Sequence, residues 1–287
     1  MNSVQRFTKV SSVEEALSAR RAEPAAVWLA GGTLLLAGDG RDRPQAVIDV
    51  GQALPRSVAR EGGYLSIGAG ATFQELAESK VLPAFLADAI LSMVNRNTRN
   101  RATLGGNLGA DKSCSSLIPI LIALGAEVDV ASHTLRTPAR VPLETWLAER
   151  VTSSMWDLRV YDLVIRVLLP LRPGTRAAYR RWNRVSCDLS VLGAAAAYDL
   201  VDGKIRNLRL ALGGLGPKAR RFPAIEALFE GSGLPAREKI ETMVAPLLDP
   251  IDDLRASAAF KRMRGAQLVA DALLDAAALR DTQEAHK

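Results

Sequence analysis

AVWLAGGT, residues 26–33, places a short apolar run directly before two adjacent glycines and a threonine. A run of this kind that stops at paired glycines is typical of a buried strand entering a tight loop. TLGGN, residues 103–107, contains a second glycine pair beside a threonine. Because glycines lack side chains, the backbone amides around them can approach a phosphate closely and form an anion-binding nest. Two such loops in one domain predict a ligand with two phosphates.

These two stretches, AGGT at 30–33 and TLGGN at 103–107, are called the first and second glycine motifs. Neither ends in Gly-Lys-Ser/Thr as the nucleotide P-loop does, and neither reads Gly-x-Gly-x-x-Gly as the nicotinamide dinucleotide fingerprint does. One such motif in isolation is more simply interpreted as a turn, since short patterns match by chance. The order of all the motifs along the chain therefore carries the argument.

The chain before residue 172 alternates helix and strand patterns. A capped helix begins at 11–17, and Thr72 with Glu75 has the capping-box spacing that begins another. The polar, basic stretch 95–101 is predicted to be a loop. The apolar pattern predicts further strands at 26–29, 46–50, 64–67, 126–130 and 162–169, and further helices at 82–93, 117–124 and 143–149.

A proline and a glycine in residues 171–175 mark the best candidate linker, beyond which the pattern restarts. The dipeptide Asp202-Gly203 predicts a hairpin. Strands are predicted at 177–185, 190–200 and 205–212, and helices at 223–229, 235–248 and 257–279. The fold class is therefore α/β or α+β, in two domains joined near residue 172.

The composition excludes several classes of protein. A length of 287 residues corresponds to about two domains, and 48% hydrophobic with 24% charged residues is an ordinary globular balance. No apolar run approaches the ~20 residues of a membrane helix, and no signal peptide is visible. With two cysteines (Cys114, Cys187) and two histidines (His133, His286), no protein-held metal site is predicted. The compartment predicted is a reducing cytoplasm.

The net charge of +6 comes mostly from arginine clusters, but nucleic-acid binding is not predicted because aromatic residues make up only 5%. Most of these charges are interpreted as solvated. No acid, base or nucleophile stands out. Asp188 beside Cys187 is the nearest pair, and a turn explains it better. The clusters contain Arg96, Arg99 and Arg101; Arg172, Arg176, Arg180, Arg181 and Arg184; Lys218, Arg220 and Arg221; and Lys261, Arg262 and Arg264.

The ordered series of motifs resembles the FAD-binding medium subunit of molybdenum hydroxylases, the family of xanthine dehydrogenase and carbon monoxide dehydrogenase. The resemblance spans nearly the whole chain. It rests on AGGT at 30–33, IGAGAT at 67–72, RNRATLGGNL at 99–108, YRRWNR at 179–184, LALGGLGP at 210–217 and DLRASAAFKR at 253–262.

The resemblance implies a two-subdomain FAD-binding domain of the PCMH type at 1–172, with subdomains of about 1–55 and 56–172, and a smaller α+β domain at 176–287. Residues 67–72 would be structural support close to the FAD site. Met93, Val164 and Arg181 match family positions near the cofactor. Each also has a plainer interpretation: Met93 as core filler, Val164 as a buried strand residue and Arg181 as a solvated charge. The implied FAD-binding residues are Trp28, Leu29, Ala30, Gly31, Gly32, Thr33, Leu34, Leu35, Met93, Thr103, Leu104, Gly105, Gly106, Asn107, Ser116, Val164 and Arg181.

Three of these residues depart from the family pattern and bear on FAD affinity. Leu34 stands where the family has a polar residue, and Ser116 replaces an aspartate that would accept cofactor hydrogen bonds. Arg181 replaces a lysine and keeps its charge with a planar geometry.

The function implied is electron transfer, without a catalytic side chain on this chain. A large subunit with a molybdenum cofactor would oxidise the substrate, and a small subunit would relay electrons through two [2Fe-2S] clusters. This chain would pass them through FAD to NAD or another acceptor, within a heterotrimer or its dimer. Two alternatives stay open: a scaffold subunit that binds little FAD, and a stand-alone FAD oxidoreductase.

Overall fold

The computed structural model describes residues 4–37, 44–132, 138–148, 163–185 and 188–278, and these form two compact units. The first, called the N-terminal unit, comprises Met1–Glu78, Asn95–Ala110 and Glu127–Leu169. The second, called the C-terminal unit, comprises Ser79–Val94, Asp111–Ala126 and Pro170–Lys287. The chain therefore enters the C-terminal unit twice before residue 170. The domain boundary at 172 stays a prediction.

The N-terminal unit begins with a three-stranded parallel sheet in the order β1-β3-β2. Neighbouring parallel strands need a crossover connection, and a helix supplies it between the first two strands. Ser12 caps this helix by accepting a hydrogen bond from the Glu15 amide, as the sequence predicts. The elements are β1 (Arg6–Lys9), α1 (Val13–Ala22), β2 (Val27–Leu29) and β3 (Ala46–Asp49).

A five-stranded sheet in the order β4-β5-β8-β6-β7 completes the N-terminal unit. The pairing register between β6 and β8 shifts between Asp129, opposite Arg166, and Val130, opposite Val164. Ile165 is therefore the extra residue of a β-bulge. The elements are β4 (Val58–Glu61), β5 (Tyr64–Gly68), α2 (Phe73–Ala77), α4 (Arg96–Arg99), α5 (Leu104–Ala110), β6 (Glu127–Ala131), β7 (Ala139–Pro142), α7 (Leu143–Ala148) and β8 (Leu163–Pro170).

The C-terminal unit is built on a four-stranded antiparallel sheet in the order β12-β11-β10-β9. Its elements are α3 (Ala84–Leu91), α6 (Leu117–Ala123), β9 (Thr175–Trp182), β10 (Leu192–Val201), β11 (Lys204–Gly213), β12 (Arg220–Arg221), α8 (Pro223–Phe229), α9 (Arg237–Val244), a 3₁₀ turn (Ala245–Leu247) and α10 (Ala258–Ala278).

The two faces of this sheet differ in side-chain size. Leu210 and Tyr198 lie in the core cluster with α10, and the Tyr198 hydroxyl donates to the Leu273 carbonyl at 2.7 Å. On the other face, β10 and the end of β11 carry small residues at Ala195, Ala211 and Gly213, and a Cβ on Gly213 would lie 3.1 Å from Pro119 of α6. Small residues there admit the wholly buried α6.

Most predicted elements are present, including the hairpin, where Asp202 and Gly203 have φ of 49° and 72° as a type I′ turn requires. The prediction of a loop at 95–101 is wrong: the stretch contains α4, because the Asn95 side chain accepts a hydrogen bond from the Thr98 amide at 2.9 Å and caps the helix. Strands β1, β4, β7 and β12 are not foreseen. The burial pattern of β1 is exposed throughout, so no apolar periodicity marks it.

Seven of the fourteen residues in the basic clusters form the ion pairs named next, each within its own unit, and solvated charge does not describe the buried Lys261, whose side chain is 0% exposed. The pairs are Arg96 with Glu78, Arg180 with Asp275, Arg184 with Asp188, Lys218 with Asp111, Arg220 with Asp249, Arg221 with Glu226 and Lys261 with Asp253. No helix within the described ranges is long and apolar enough to cross a membrane.

Candidate functional site

The first glycine motif lies against the chain that leads into the second. A Cβ on Gly31 would lie 1.8 Å from the Arg101 carbonyl oxygen, so no other residue fits there. The Arg101 Nε also donates to the Gly31 carbonyl at 3.3 Å. The structure thus brings the two glycine motifs together, and Gly31 serves contact between two backbone segments.

The turn after Gly31 presents backbone donors. Gly32 has φ of 69°, a conformation that favours glycine, and its carbonyl accepts from the Leu36 amide at 3.0 Å. Within the part of the chain that the structure describes, the amides of Thr33, Leu34 and Leu35 donate no hydrogen bond. All three residues are at least partly exposed. Consecutive amides of this kind form an anion-binding concavity.

The second glycine motif is not a loop, which corrects the sequence prediction. Gly105, Gly106 and Asn107 lie inside α5. The Thr103 hydroxyl accepts from the Gly106 amide at 3.1 Å, and its carbonyl accepts from the Asn107 amide at 3.0 Å. Thr103 therefore caps the helix, which is why the pair of glycines continues into a helical turn.

The remaining amides of this motif hold it to the preceding segment. Leu104 donates to the Ala71 carbonyl at 3.0 Å, and Gly105 donates to the Ala69 carbonyl at 2.8 Å. A Cβ on Gly105 would lie 2.9 Å from the Ala69 Cβ. The Ala69 amide in turn donates to the carbonyl of Ile165, the bulged residue of β8. Residues 67–72 thus position the second motif.

Asn107 presents a polar atom that requires a partner. Its Oδ1 is buried and accepts no hydrogen bond from the residues described. A buried acceptor left unpaired costs about 1–3 kcal/mol. A ligand that donates a hydrogen bond to Asn107 and accepts from the amides of 33–35 satisfies both groups. The donor and acceptor set therefore fits a phosphate-bearing ligand with further polar groups, as FAD is.

Other predicted site residues in the N-terminal unit serve its core. Leu29 and Val164 are 8% and 6% exposed, and Leu104 is 1% exposed. Leu35 packs against the small cluster that contains Leu29. Trp28 is partly exposed, and its ring lies 5.8 Å from the Arg20 guanidinium.

The other three predicted residues lie in the C-terminal unit. Arg181 on β9 donates to the carbonyl of Ser92, next to the buried Met93. Ser116 is 8% exposed and lies beside the phenol of Tyr179, two residues before Arg181. The structure thus places all three around one face of β9.

Tyr179 is a further candidate residue of the site around β9, and it is absent from the residues predicted from the sequence. A Cβ on Gly193 would lie 2.5 Å from its hydroxyl oxygen, so the glycine admits the phenol. Burial raises the pKa of Tyr179, and the hydroxyls of Ser116 and Ser190 offset this in part. Its alternation with Arg181 on the strand is the signal that could have identified it.

Asp111, directly after α5, is another residue that the sequence prediction did not identify, and it positions the segment that contains Ser116. It has φ of 42°, and its side chain is 2% exposed. The Lys218 Nζ lies 3.0 Å from its Oδ2. Because a buried carboxylate needs such a partner, this pair fixes the start of the segment 111–116.

The pair of Asp188 and Cys187 gives no site. Cys187 lies outside the described residues. Asp188 accepts hydrogen bonds from the Leu189 amide at 2.8 Å and the Arg184 Nε at 3.1 Å, as in a turn.

Two family models match the chain in succession. Residues 2–172 match the family described as the FAD binding domain in molybdopterin dehydrogenase. Residues 177–276 match the CO dehydrogenase flavoprotein C-terminal domain.

Relatives and solved structures extend over the same length. The uncharacterized protein YgfM of Escherichia coli K12 is 32% identical, over 95% of this chain and 96% of its own. The nicotine 6-hydroxylase medium subunit of Paenarthrobacter nicotinovorans is 27% identical, over 95% and 97%. A carbon monoxide dehydrogenase from Hydrogenophaga pseudoflava, solved without the Mo-pyranopterin moiety of its cofactor, has a chain that superimposes with a TM-score of 0.87 at 25% identity, covering 97% of this chain and 99% of that one.

Proposed function

Because the chain belongs to the family of FAD-binding medium subunits of molybdenum hydroxylases, we propose that it holds one FAD on its glycine motifs and transfers electrons through it. The resemblance, the fold class and the FAD cofactor predicted from the sequence are confirmed at the level of the family. The residues that contact FAD stay a proposal.

The observation that carries the proposal is a set of hydrogen-bonding groups in the N-terminal unit that have no partner among the described residues. The partly exposed amides of 33–35 offer donors for a pyrophosphate, and the buried Oδ1 of Asn107 offers an acceptor. Amide donors bind an anion without a charged side chain. Gly31, Thr103 and residues 67–72 position these groups.

The chain itself supplies binding and electrostatics. Bound FAD supplies the conversion between one-electron and two-electron transfer. The family resemblance alone implies a flavin role for Arg181, whose hydrogen bond to the Ser92 carbonyl fixes its charge on β9. No acid, base or nucleophile of this chain is required, because substrate oxidation belongs to a partner.

The partners proposed are a large subunit with a molybdenum cofactor and a small subunit with two [2Fe-2S] clusters. The relatives named as medium subunits support this composition. The chain's two cysteines are too few for such clusters, which need about four ligands each. NAD or another acceptor would receive the electrons.

One observation favours the second candidate function, a scaffold subunit that binds little FAD. Leu34, at the centre of the amide turn, is apolar and 42% exposed. Ser116, where the family has an aspartate, lies against Tyr179 and carries no charge.

A visible absorption spectrum of the purified complex, followed by identification of the released cofactor, separates the two. We expect a flavin spectrum and about one FAD per chain, the stoichiometry of a single anion-binding turn. A colourless chain that also takes up no added FAD would overturn the proposal and support the scaffold. Turnover of a small substrate by this chain alone would contradict the placement of catalysis on a partner.

A further inference from the structure

A cavity lies entirely within the C-terminal unit, at the end of its sheet beside the last turn of α6. Its volume is about 440 Å³, within the range of small-ligand pockets. It shares no residue with the glycine motifs. The lining comprises Ala123, Leu124, Pro170, Arg172, Thr175, Ala197, Asp199, Asn207, Leu208, Arg209 and Arg221.

Two of the three arginines in the lining have protein partners. Arg221 forms an ion pair with the buried Glu226. Arg209 donates through Nε and Nη2 to the Ile122 carbonyl, at 3.3 and 3.1 Å. Arg209 therefore neutralises the negative end of α6, which would otherwise repel an anion.

The third arginine, Arg172, is exposed, and its guanidinium has no acceptor among the residues described. It nevertheless lies close to Arg209. A Cβ on Gly125 would have the Arg172 Nη2 at 3.4 Å and the Arg209 Nε at 3.5 Å. Two guanidinium groups thus meet over one glycine, whose φ of 72° ends α6.

The carboxylate in the lining does not compensate these charges. Asp199 accepts from the Thr175 hydroxyl at 2.6 Å and from the Asn207 Nδ2 at 2.7 Å. Both donors are neutral, and they hold the carboxylate on its own side of the cavity. The result is a concave surface with two adjacent guanidinium groups and no ion pair between Asp199 and Arg172 in the described structure.

We propose that this cavity binds a phosphate-bearing anion, held by Arg172 and Arg209. Guanidinium groups match phosphate oxygens in geometry and donate two parallel hydrogen bonds to them. The volume exceeds that of one phosphate, so a diphosphate or a small phosphorylated metabolite fits better than inorganic phosphate. Thr175 and Asn207 supply polar contacts for the remainder of such a ligand.

The test is a calorimetric titration of the FAD-saturated complex with pyrophosphate at fixed ionic strength, with inorganic phosphate and AMP as comparison ligands. We expect one saturable pyrophosphate site per chain and weaker binding of phosphate. Arg172→Met should weaken pyrophosphate binding about tenfold or more, which corresponds to one lost charge-assisted contact. This variant should stay folded because the exposed Arg172 side chain has no hydrogen-bond or ion-pair partner among the described residues.

Arg206→Met is the matched control, since Arg206 is exposed on β11 against Gly231 and does not line the cavity. Its pyrophosphate affinity should change less than about twofold, as expected for a solvent-screened charge outside the lining. Equal weakening by both variants would show diffuse attraction and overturn the proposal, as would the absence of saturable binding. The FAD content reports the other site, so the two proposals can fail independently.

Discussion

The two glycine motifs both place two adjacent glycines near a threonine, yet their backbone amides differ in hydrogen bonding. Around Gly31 and Gly32 the backbone turns and leaves the amides of 33–35 without acceptors in the described structure. In residues 104–107 every amide has one, because Thr103 and residues 69–71 take them all. The comparison teaches that adjacent glycines indicate close approach of backbone but do not say what approaches. We propose that a ligand approaches the backbone of the first motif, whereas the protein's own backbone approaches the second.

The largest change in the free energy of unfolding is expected at Gly31, where the backbone contacts the Arg101 carbonyl. Gly31→Val should destabilise the protein by about 3 kcal/mol or more, the upper range for overpacking, because its Cβ would overlap the Arg101 carbonyl. Urea denaturation measures this. Gly109→Ala in α5 is the control, since nothing lies within 4 Å of the added Cβ, and it should stabilise the helix by about 0.5–1 kcal/mol. Equal stability of the two variants would contradict the close contact of the motifs.

Gly106→Val tests the second motif. Gly106 is exposed, and an added Cβ meets only the Thr103 hydroxyl, at 2.8 Å. We expect the protein to fold and its FAD content to fall well below one per chain, because disturbing the Thr103 cap displaces Asn107 in the same helical turn. An unchanged flavin content in the folded variant would contradict a role of the α5 start in holding FAD.

Asn107→Leu separates the effect of Asn107 on protein stability from its proposed effect on FAD binding. Removing a buried, unpaired acceptor should leave the FAD-free protein as stable or raise its stability by about 1 kcal/mol. The same change should weaken FAD binding about tenfold, the value of one lost hydrogen bond. Fluorescence titration with FAD and thermal unfolding give the two readouts. Asn100→Leu, at the exposed end of α4, should change neither.

The smallest effect concerns the support beneath the second motif. Burial raises the pKa of Glu75, but hydrogen bonds from Arg56 and Thr72 outweigh it and hold the pKa below the ordinary 4.5. Because the folded pKa is lowered, the carboxylate stabilises the fold above the unfolded pKa, and this is lost as pH falls through the folded pKa. Glu75→Gln should therefore reduce, by a few tenths of a kcal/mol, the free energy of unfolding that is lost between pH 6 and 3, as for an exposed ion pair. Stability measured from pH 6 to 3 checks this, and an unaltered slope would contradict it.

The sequence predicts the elements whose cause is local. The capping box at Thr72, the hairpin at Asp202-Gly203 and the apolar α6 are all visible in short windows. The helical state of the second motif is not, because it depends on where the Ala69 and Ala71 carbonyls lie. Asn107 was chosen by resemblance, whereas its unpaired atom is visible only in three dimensions. Arg172 and Arg209 meet through folding alone, since no sequence pattern joins them.

The intermittent path of the chain has a consequence for biosynthesis. Segments 79–94 and 111–126 leave the ribosome early, yet they belong to the unit whose sheet begins at Thr175. The wholly apolar α6 packs on β10 and β11, so it stays uncovered until those strands have been synthesised. Contacts between such distant parts of a chain form slowly, and until they form the apolar surface stays exposed and prone to aggregation. We therefore expect chaperones to bind a nascent chain that has been synthesised only to about residue 172. Splitting the gene at that point would separate α6 from the sheet on which it packs.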